Sequence, residues 1–307
     1  MDEEAYRSLA LDPKPTNGWH ELDRIYSSTR RRLYADPDWR YGPPRVHEVA
    51  KEGFDALQPY MSVEGKVYCD LGCGAYHPYG VSAAMFLNGA ARTIALDLQD
   101  SERERAAEAL ADLLCDCLVH PEQWHWSAVA REHFFEAIRV FDLKALQKGQ
   151  LATGLARAPL KHVVSDIYTG AIRLLEEDSI DIMSSRAVLE HFLDFGSAVK
   201  RLFDVMRKGG VAYHHIDLVD HRAYEDPRYH WWSFLAEGEN WSDGLVNRLR
   251  SSEIRSHLEN VGFEILRFEN RMGKMPEGFA RQLRGRFRDM PEAELNVITV
   301  SCVLRKA

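Results

Sequence analysis

Three acids stand where each could close a buried strand: Asp70 after Val67-Tyr68-Cys69, Asp97 after 92–96, and Asp166 after 162–165. A carboxylate in such a place accepts hydrogen bonds or holds a cation, and its neighbours say which. Gly72 and Gly74 follow Asp70 at once; lacking a Cβ, they let the backbone turn sharply and approach a ligand. Asp97 lies 25 residues beyond Gly72, the reach at which a carboxylate accepts from both hydroxyls of a ribose. Asp166 can accept from the amino group of an adenine. Together the three describe a nucleoside site.

A dinucleotide would need a third glycine two residues on, so that a helix N-terminus can meet the pyrophosphate. Here Gly74 is followed by Ala75-Tyr76-His77, and the next glycine is Gly80. The bulky pair Tyr76-His77 fills the place where pyrophosphate would sit. S-adenosylmethionine (SAM) has no pyrophosphate and carries an ammonium group, and Asp70 suits a cation. A nicotinamide-dependent oxidoreductase or nucleotide-sugar epimerase is the alternative reading, and a non-catalytic SAM-binding protein another.

A second set of residues could do proton chemistry. Glu190 and His191 follow one predicted strand; His214, His215, Asp217 and His221 lie on and after the next. Imidazole is suited to general base catalysis near neutral pH. Side chains alternate along a strand, so one of His214 and His215 should face the site. His215 is preferred, with Asp217 on its face to orient it. Glu190 and His191 complete the candidate catalytic set. The cluster at 214–221 is nitrogen-rich and ill suited to magnesium, which prefers oxygen, so no metal is expected.

These groups need a scaffold, and the chain reads as alternating strands and helices. Strands are predicted at 67–69, 92–96, 162–165, 179–183, 211–216, 263–268 and 297–304. Helices are predicted at 45–60, 81–88, 194–207 and 252–261, with Gly89 and Gly262 as C-caps and Gly209-Gly210 ending the third. This is α/β: a doubly wound, seven-stranded, mostly parallel sheet with an antiparallel last strand. Residues 1–60 form an N-terminal helical extension and lid, and 61–307 the main domain, with two or three inserted helices at 101–150 and an aromatic substrate-side loop at 218–250. Within that loop Arg222, Tyr229, Trp231 and Trp232 are candidate substrate contacts: aromatic faces for flat or sugar-like rings, a guanidinium for a carboxylate or phosphate. Arg281, Arg284, Arg286 and Arg288 form a basic run, read as a solvated helix face or a clamp for a phosphorylated substrate.

The ordered elements from 66 to 216 carry a resemblance. Val67-Tyr-Cys-Asp-Leu-Gly-Cys-Gly74 resembles the first motif of class I SAM-dependent methyltransferases. Ile94-Ala-Leu-Asp97 resembles their second acidic strand end, and Ser165-Asp166-Ile167 their adenine-contacting motif. Ser179 to His191 resembles the fourth-strand motif that leads into the active site, and Arg207 to Tyr213 the turn into the fifth strand. The resemblance implies a methyltransferase that binds SAM through Asp70, Gly72, Cys73, Gly74, Asp97, Leu98, Asp166, Ile167, Ser185 and Arg186. The glycine loop is longer than the commonest form and is similar to variants in sugar and secondary-metabolite pathways, which implies methylation of an O or N atom of a small molecule.

Bulk properties set limits. The 307 residues are 45% apolar and 28% charged, enough for a sizeable core. The net charge of -8 argues against a nucleic-acid partner, which would need a basic surface. No apolar run approaches the roughly 18 residues of a membrane span, and the acidic start lacks the order of a signal peptide. Five scattered cysteines fit reduced thiols rather than a disulfide framework. The expectation is a cytoplasmic enzyme whose partner is a small-molecule acceptor, with no nucleic acid and no membrane, and with a homodimer left open.

Overall fold

A computed structural model describes residues 42–165, 175–237 and 246–307. They divide into two compact units, the first ending at Val164 and the second beginning at Ser165.

The first unit opens with helix α1 (Pro43–Leu57), begun by two prolines whose missing N–H groups cost nothing in a first turn. Val46, Ala50, Phe54 and Leu57 form its buried stripe. Strand β1 (Val67–Leu71) is buried from Tyr68 onward. Strand β1 leads through the glycine loop into α2 (Gly80–Leu87), an apolar helix buried on most sides. A Cβ on Gly80 would stand 2.8 Å from both Val46 methyl groups, so glycine is what lets α1 and α2 touch. Gly89 follows α2 at φ +106°, the left-handed turn expected of it. Strand β2 (Arg92–Asp97) pairs in parallel with β1, and β3 (Leu160–Val164) in parallel with β2. Between them lie α3 (Arg103–Val119), α4 (Arg131–Ile138) and short turns at Pro121–Trp124, Leu143–Leu146 and Leu151–Gly154. The insertion at 101–150 is thus more broken than two or three helices. Prolines and glycines are not the only interruption: the Trp124 indole donates to Asp116 at 3.0 Å and folds the chain back on α3.

The second unit holds β4 (Ile180–Arg186), α5 (Phe195–Val205), β5 (Met206–Asp217), α6 (Ser251–Val261), β6 (Phe263–Met272) and β7 (Val297–Lys306). Asp194 caps α5 by accepting from Ser197 N at 3.1 Å. Helix α5 stops at Val205, before the glycine pair expected to end it; Gly209 at φ +77° instead makes a turn within the early part of β5. Gly262, at φ +109°, closes α6 as expected. Strand β5 pairs in parallel with β4 and antiparallel with β7, which pairs antiparallel with β6. All seven strands belong to one sheet in the order β3-β2-β1-β4-β5-β7-β6, the fold class expected.

A separate core lies beyond the ends of β5 and β7. Val219, Trp232, Phe234, Leu235, Phe279, Leu283 and Phe287 pack there, joining the segment after β5 to the one before β7. Among the described residues no helix is long and apolar enough to cross a membrane. All five cysteines are free; burial pushes the Cys115 and Cys302 thiols up to about 12, which keeps them protonated and unreactive.

Candidate functional site

In the first unit the loop after β1 is fixed by hydrogen bonds to β2. Gly72 N and Cys73 N both donate to Leu96 O, at 2.7 and 3.2 Å. Gly74 N donates to Asp97 Oδ2 at 2.7 Å, and Gln99 N to Asp97 Oδ1 at 3.0 Å. Gly72 and Gly74 sit at φ +74° and +77°, the left-handed region that side chains with a Cβ avoid. A Cβ on Gly74 would meet nothing within 4 Å, so the reason for glycine there is its dihedral, and open space lies in front of it. Asp97 therefore does two things: it staples the loop and still offers lone pairs outward.

Asp70 and Asp97 are both buried. Burial, and then the neighbouring charge of Asp97, push the Asp70 carboxyl up to about 8. Two buried carboxylates whose charges oppose each other form a site that a cation would relieve. Cys73 is half-buried and Cys69 fully buried; burial and the Asp70 charge hold both thiols far above their ordinary range, so neither is a nucleophile. Leu98 is 36% exposed at the end of β2. Asp166 and Ile167 lie outside the described residues.

In the second unit the residues gather after β4 and β5. Ala187 turns at φ +53°, a left-handed conformation costing about 1–2 kcal/mol for a residue with a Cβ. Its N–H donates to His215 O at 2.8 Å. This turn leads into a short 3-10 turn, Leu189–His191, that carries Glu190 and His191. Asn247 holds it: its backbone N donates to Glu190 O at 2.6 Å, and its side chain donates to Leu189 O and Phe192 O at 2.9 and 3.1 Å. From the other strand come Asp217 and His221. His221 Nε2 stands 3.6 Å from Asp217 Oδ2 and 3.9 Å from Glu190 Oε1. The His191 and His221 rings face each other edge to face with centroids 5.0 Å apart. Tyr224 donates to Asp217 Oδ2 at 2.5 Å.

The electrostatics set the two acids apart. Burial raises the Asp217 carboxyl, but His221 and Tyr224 outweigh it, and the net position is below the usual carboxylate range. Asp217 is ionised at neutral pH. Burial holds Glu190 well above that range; the residue is 1% exposed and neither carboxyl oxygen has a hydrogen-bond partner.

The histidines of β5 are placed otherwise than the sequence reading has them. His214 is buried, with Nδ1 2.8 Å from Ser185 Oγ, and burial lowers it to about 3. It is a neutral packing group, and Ser185 is its partner. His215 Nδ1 lies 3.1 Å from Ser301 Oγ on β7. The carboxylate Asp217, expected to orient His215, stands instead beside His221. Arg186, at the end of β4, is opposite His215 in register.

The expected substrate contacts divide as well. Trp232 is 5% exposed within the apolar core, and its indole donates to Leu295 O at 2.8 Å. Arg222 grips Asp220 at 2.6 Å and Glu237 at 2.7 Å, and lies 4.1 Å above the Tyr229 ring. The structure occupies Trp232, Arg222 and Tyr229 internally, whereas Trp231 remains 40% exposed. The basic run is not a helix face: its arginines lie on and beside two 3-10 turns, and Arg286 pairs with Glu253 at 2.9 Å.

Arg250 is a residue that sequence reasoning missed. Fully buried, it donates to Leu218 O at 2.8 Å, to Leu295 O at 3.2 Å and to Val297 O. It thereby ties the end of β5, where Asp217 sits, to the start of β7. Asn247 was missed too. Neither has a local signal, since each acts on carbonyls tens of residues away.

A family model for the methyltransferase domain matches residues 45–267, which include both groups of residues. The chain belongs to the methyltransferase-domain family. The donor of that family is SAM, and the Asp70–Asp97 pair around an open glycine loop fits a cationic nucleoside. The enzyme is a SAM-dependent methyltransferase, and the nicotinamide reading falls away. No curated protein sequence matches the chain. Among solved structures, a SAM-dependent methyltransferase from Mesorhizobium loti is similar at 16% identity, covering 85% of this chain and 99% of its own, with a TM-score of 0.43. The [4+2]-cyclase SpnF matches at 14% identity over 93% and 94% of the two chains, with a TM-score of 0.48. Geranyl diphosphate methyltransferase in complex with SAM matches at 11% over 90% and 95%, also at 0.48.

Proposed function

We propose that this methyltransferase transfers the methyl group of SAM to an oxygen or nitrogen atom of a small molecule. The observation that carries the reading is the Asp217–His221 pair, 3.6 Å apart, after a strand of a methyltransferase domain. Methyl transfer is an in-line displacement whose electronics SAM supplies; the chain's part is to bind, orient and manage a proton. Asp70, Gly72, Gly74 and Asp97 hold the cofactor, Asp70 toward its ammonium group and Asp97 toward the ribose. The carboxylate of Asp217, steadied by Tyr224, orients and supports the His221 imidazole, which accepts the proton of the acceptor. His191 and Glu190 wall the same place, and His215 stays close in register.

Two features support a small acceptor. The surface is acidic overall, with a net charge of -8, and Trp231 and Tyr224 stay exposed at 40% and 62%, aromatic faces suited to a sugar-like or flat secondary metabolite. The test is a methylation assay with labelled SAM against a panel of hydroxylated and amino small molecules, run beside RNA and protein acceptors. Label moving into a small molecule, and lost in His221→Ala, supports the reading. Label moving only into macromolecules overturns it.

A further inference from the structure

Glu190, His191 and His221 each direct one ligand-type atom to a common place, all within 4.8 Å of one another. Asp217 Oδ2 stands beside this group, 3.6 Å from His221 Nε2. Two observations say that the group is built for an occupant. The Glu190 carboxyl is 1% exposed, and both of its oxygens lack a hydrogen-bond partner. His221 Nε2 is likewise buried, facing the carboxylates of Asp217 and Glu190 at 3.6 and 3.9 Å. Burying a carboxyl unpaired costs several kcal/mol in apolar surroundings, and the fold goes to some length to keep it there: Asn247 makes three hydrogen bonds to its turn, and Ala187 takes a left-handed conformation just before it.

We propose that Glu190, His191 and His221, with Asp217 beside them, bind a divalent transition ion. Ligand atoms about 2.0–2.2 Å from zinc stand roughly 3.3–3.6 Å from one another in a tetrahedral site. The 3.6 and 3.9 Å spacings at His221 need only small side-chain rotations to reach that. Two imidazoles with carboxylates favour zinc, cobalt or iron over magnesium, which wants oxygen alone. Three protein ligands leave the fourth tetrahedral position for an oxygen ligand, water or a hydroxyl of the acceptor. With an ion bound, His221 is a ligand and no longer the base; the ion instead eases loss of the proton from the acceptor hydroxyl that it binds. That last role rests on the methyl-transfer reading; the binding of the ion does not.

The experiment is a titration of the metal-stripped full chain with Co2+ alone, followed by visible absorption and by NMR of the shifted imidazole N–H protons. Saturable binding of one ion per chain, with two shifted imidazole signals, is expected. Glu190→Gln and His221→Ala should each weaken Co2+ at least about tenfold. Binding of S-adenosylhomocysteine, measured by calorimetry on the same samples, should be unchanged. Absence of a one-to-one Co2+ complex in the wild-type chain, or equal affinity in both variants, overturns the proposal. The wild-type titration decides even where a variant fails to fold. Failure of the wild-type chain to bind S-adenosylhomocysteine would count against the methyltransferase reading and leave the Co2+ result to stand by itself.

Discussion

The glycine loop of the first unit and the polar cluster of the second are built in opposite ways. The loop is compact: Asp70 and Asp97 lie on two adjacent strands, Gly72 and Gly74 follow the first, and backbone hydrogen bonds to Leu96 and Asp97 fix it. The cluster is long-range: Glu190 and His191 follow β4, Asp217 and His221 follow β5, and Asn247 and Arg250 brace them from the segment before α6. One is shaped by backbone dihedrals, the other by side chains held at a distance. The lesson is that a site for a ligand common to many proteins can be made from local backbone geometry, while a site for a particular acceptor is assembled from whatever the tertiary fold brings together.

The sharpest way to break this comparison is His221→Ala. Loss of a general base costs about 10²–10⁴-fold in kcat, while calorimetric affinity for S-adenosylhomocysteine should stay the same; a loss shared by both would mean that the regions are not separate in function. Next in size, Arg250→Ala removes a donor from three buried carbonyls, of which Leu295 O keeps the Trp232 indole, and should destabilise the chain by on the order of 3 kcal/mol, read by urea denaturation. An unchanged midpoint would remove Arg250 as a brace.

On the loop side, Asp97→Ala removes both a ligand acceptor and the staple to Gly74, so SAM affinity should fall by about 1–3 kcal/mol. Gly74→Ala tests the dihedral alone, because its Cβ meets no atom; the cost should be about 1–2 kcal/mol in cofactor binding, and a neutral result would show that the loop need not be left-handed there. A further test is in pH. Asp70 is raised from 3.8 to about 8, so the folded chain holds its proton where the unfolded chain does not. Its contribution to stability is full below about pH 4 and is lost as pH rises to about 8. SAM, a cation, binds the ionised form, so its affinity should rise by up to about tenfold per pH unit and level off above about 8. In Asp70→Asn both dependences should flatten.

The sequence carried the order of the strands and the end of β2 at Asp97, because a buried parallel strand reads as an apolar run; β1 runs one residue past Asp70, and Asp166 lies outside the described residues. It carried Gly89 and Gly262, since left-handed helix ends select glycine locally. It misplaced the helix end at Gly209-Gly210, as a turn inside a strand uses the same residues. It paired Asp217 with His215 by strand alternation, which says what shares a face but not what the chain does after the strand ends. There the segment turns back and brings His221 to Asp217. Trp232 and Arg222 were read as substrate contacts because their types fit; the core and the Asp220–Glu237 pair take them instead.

What the chain determined by itself was the α/β order, the glycine loop and the places of Asp70 and Asp97 on their strands, since each follows from local runs of residue type and from dihedral limits that hold in any fold. Only the tertiary structure decided which acid meets which histidine, which aromatics stay exposed, and that Arg250 and Asn247 matter at all. Those choices are made by contacts between segments far apart in sequence, where burial and hydrogen-bond geometry, not residue type, select the partner.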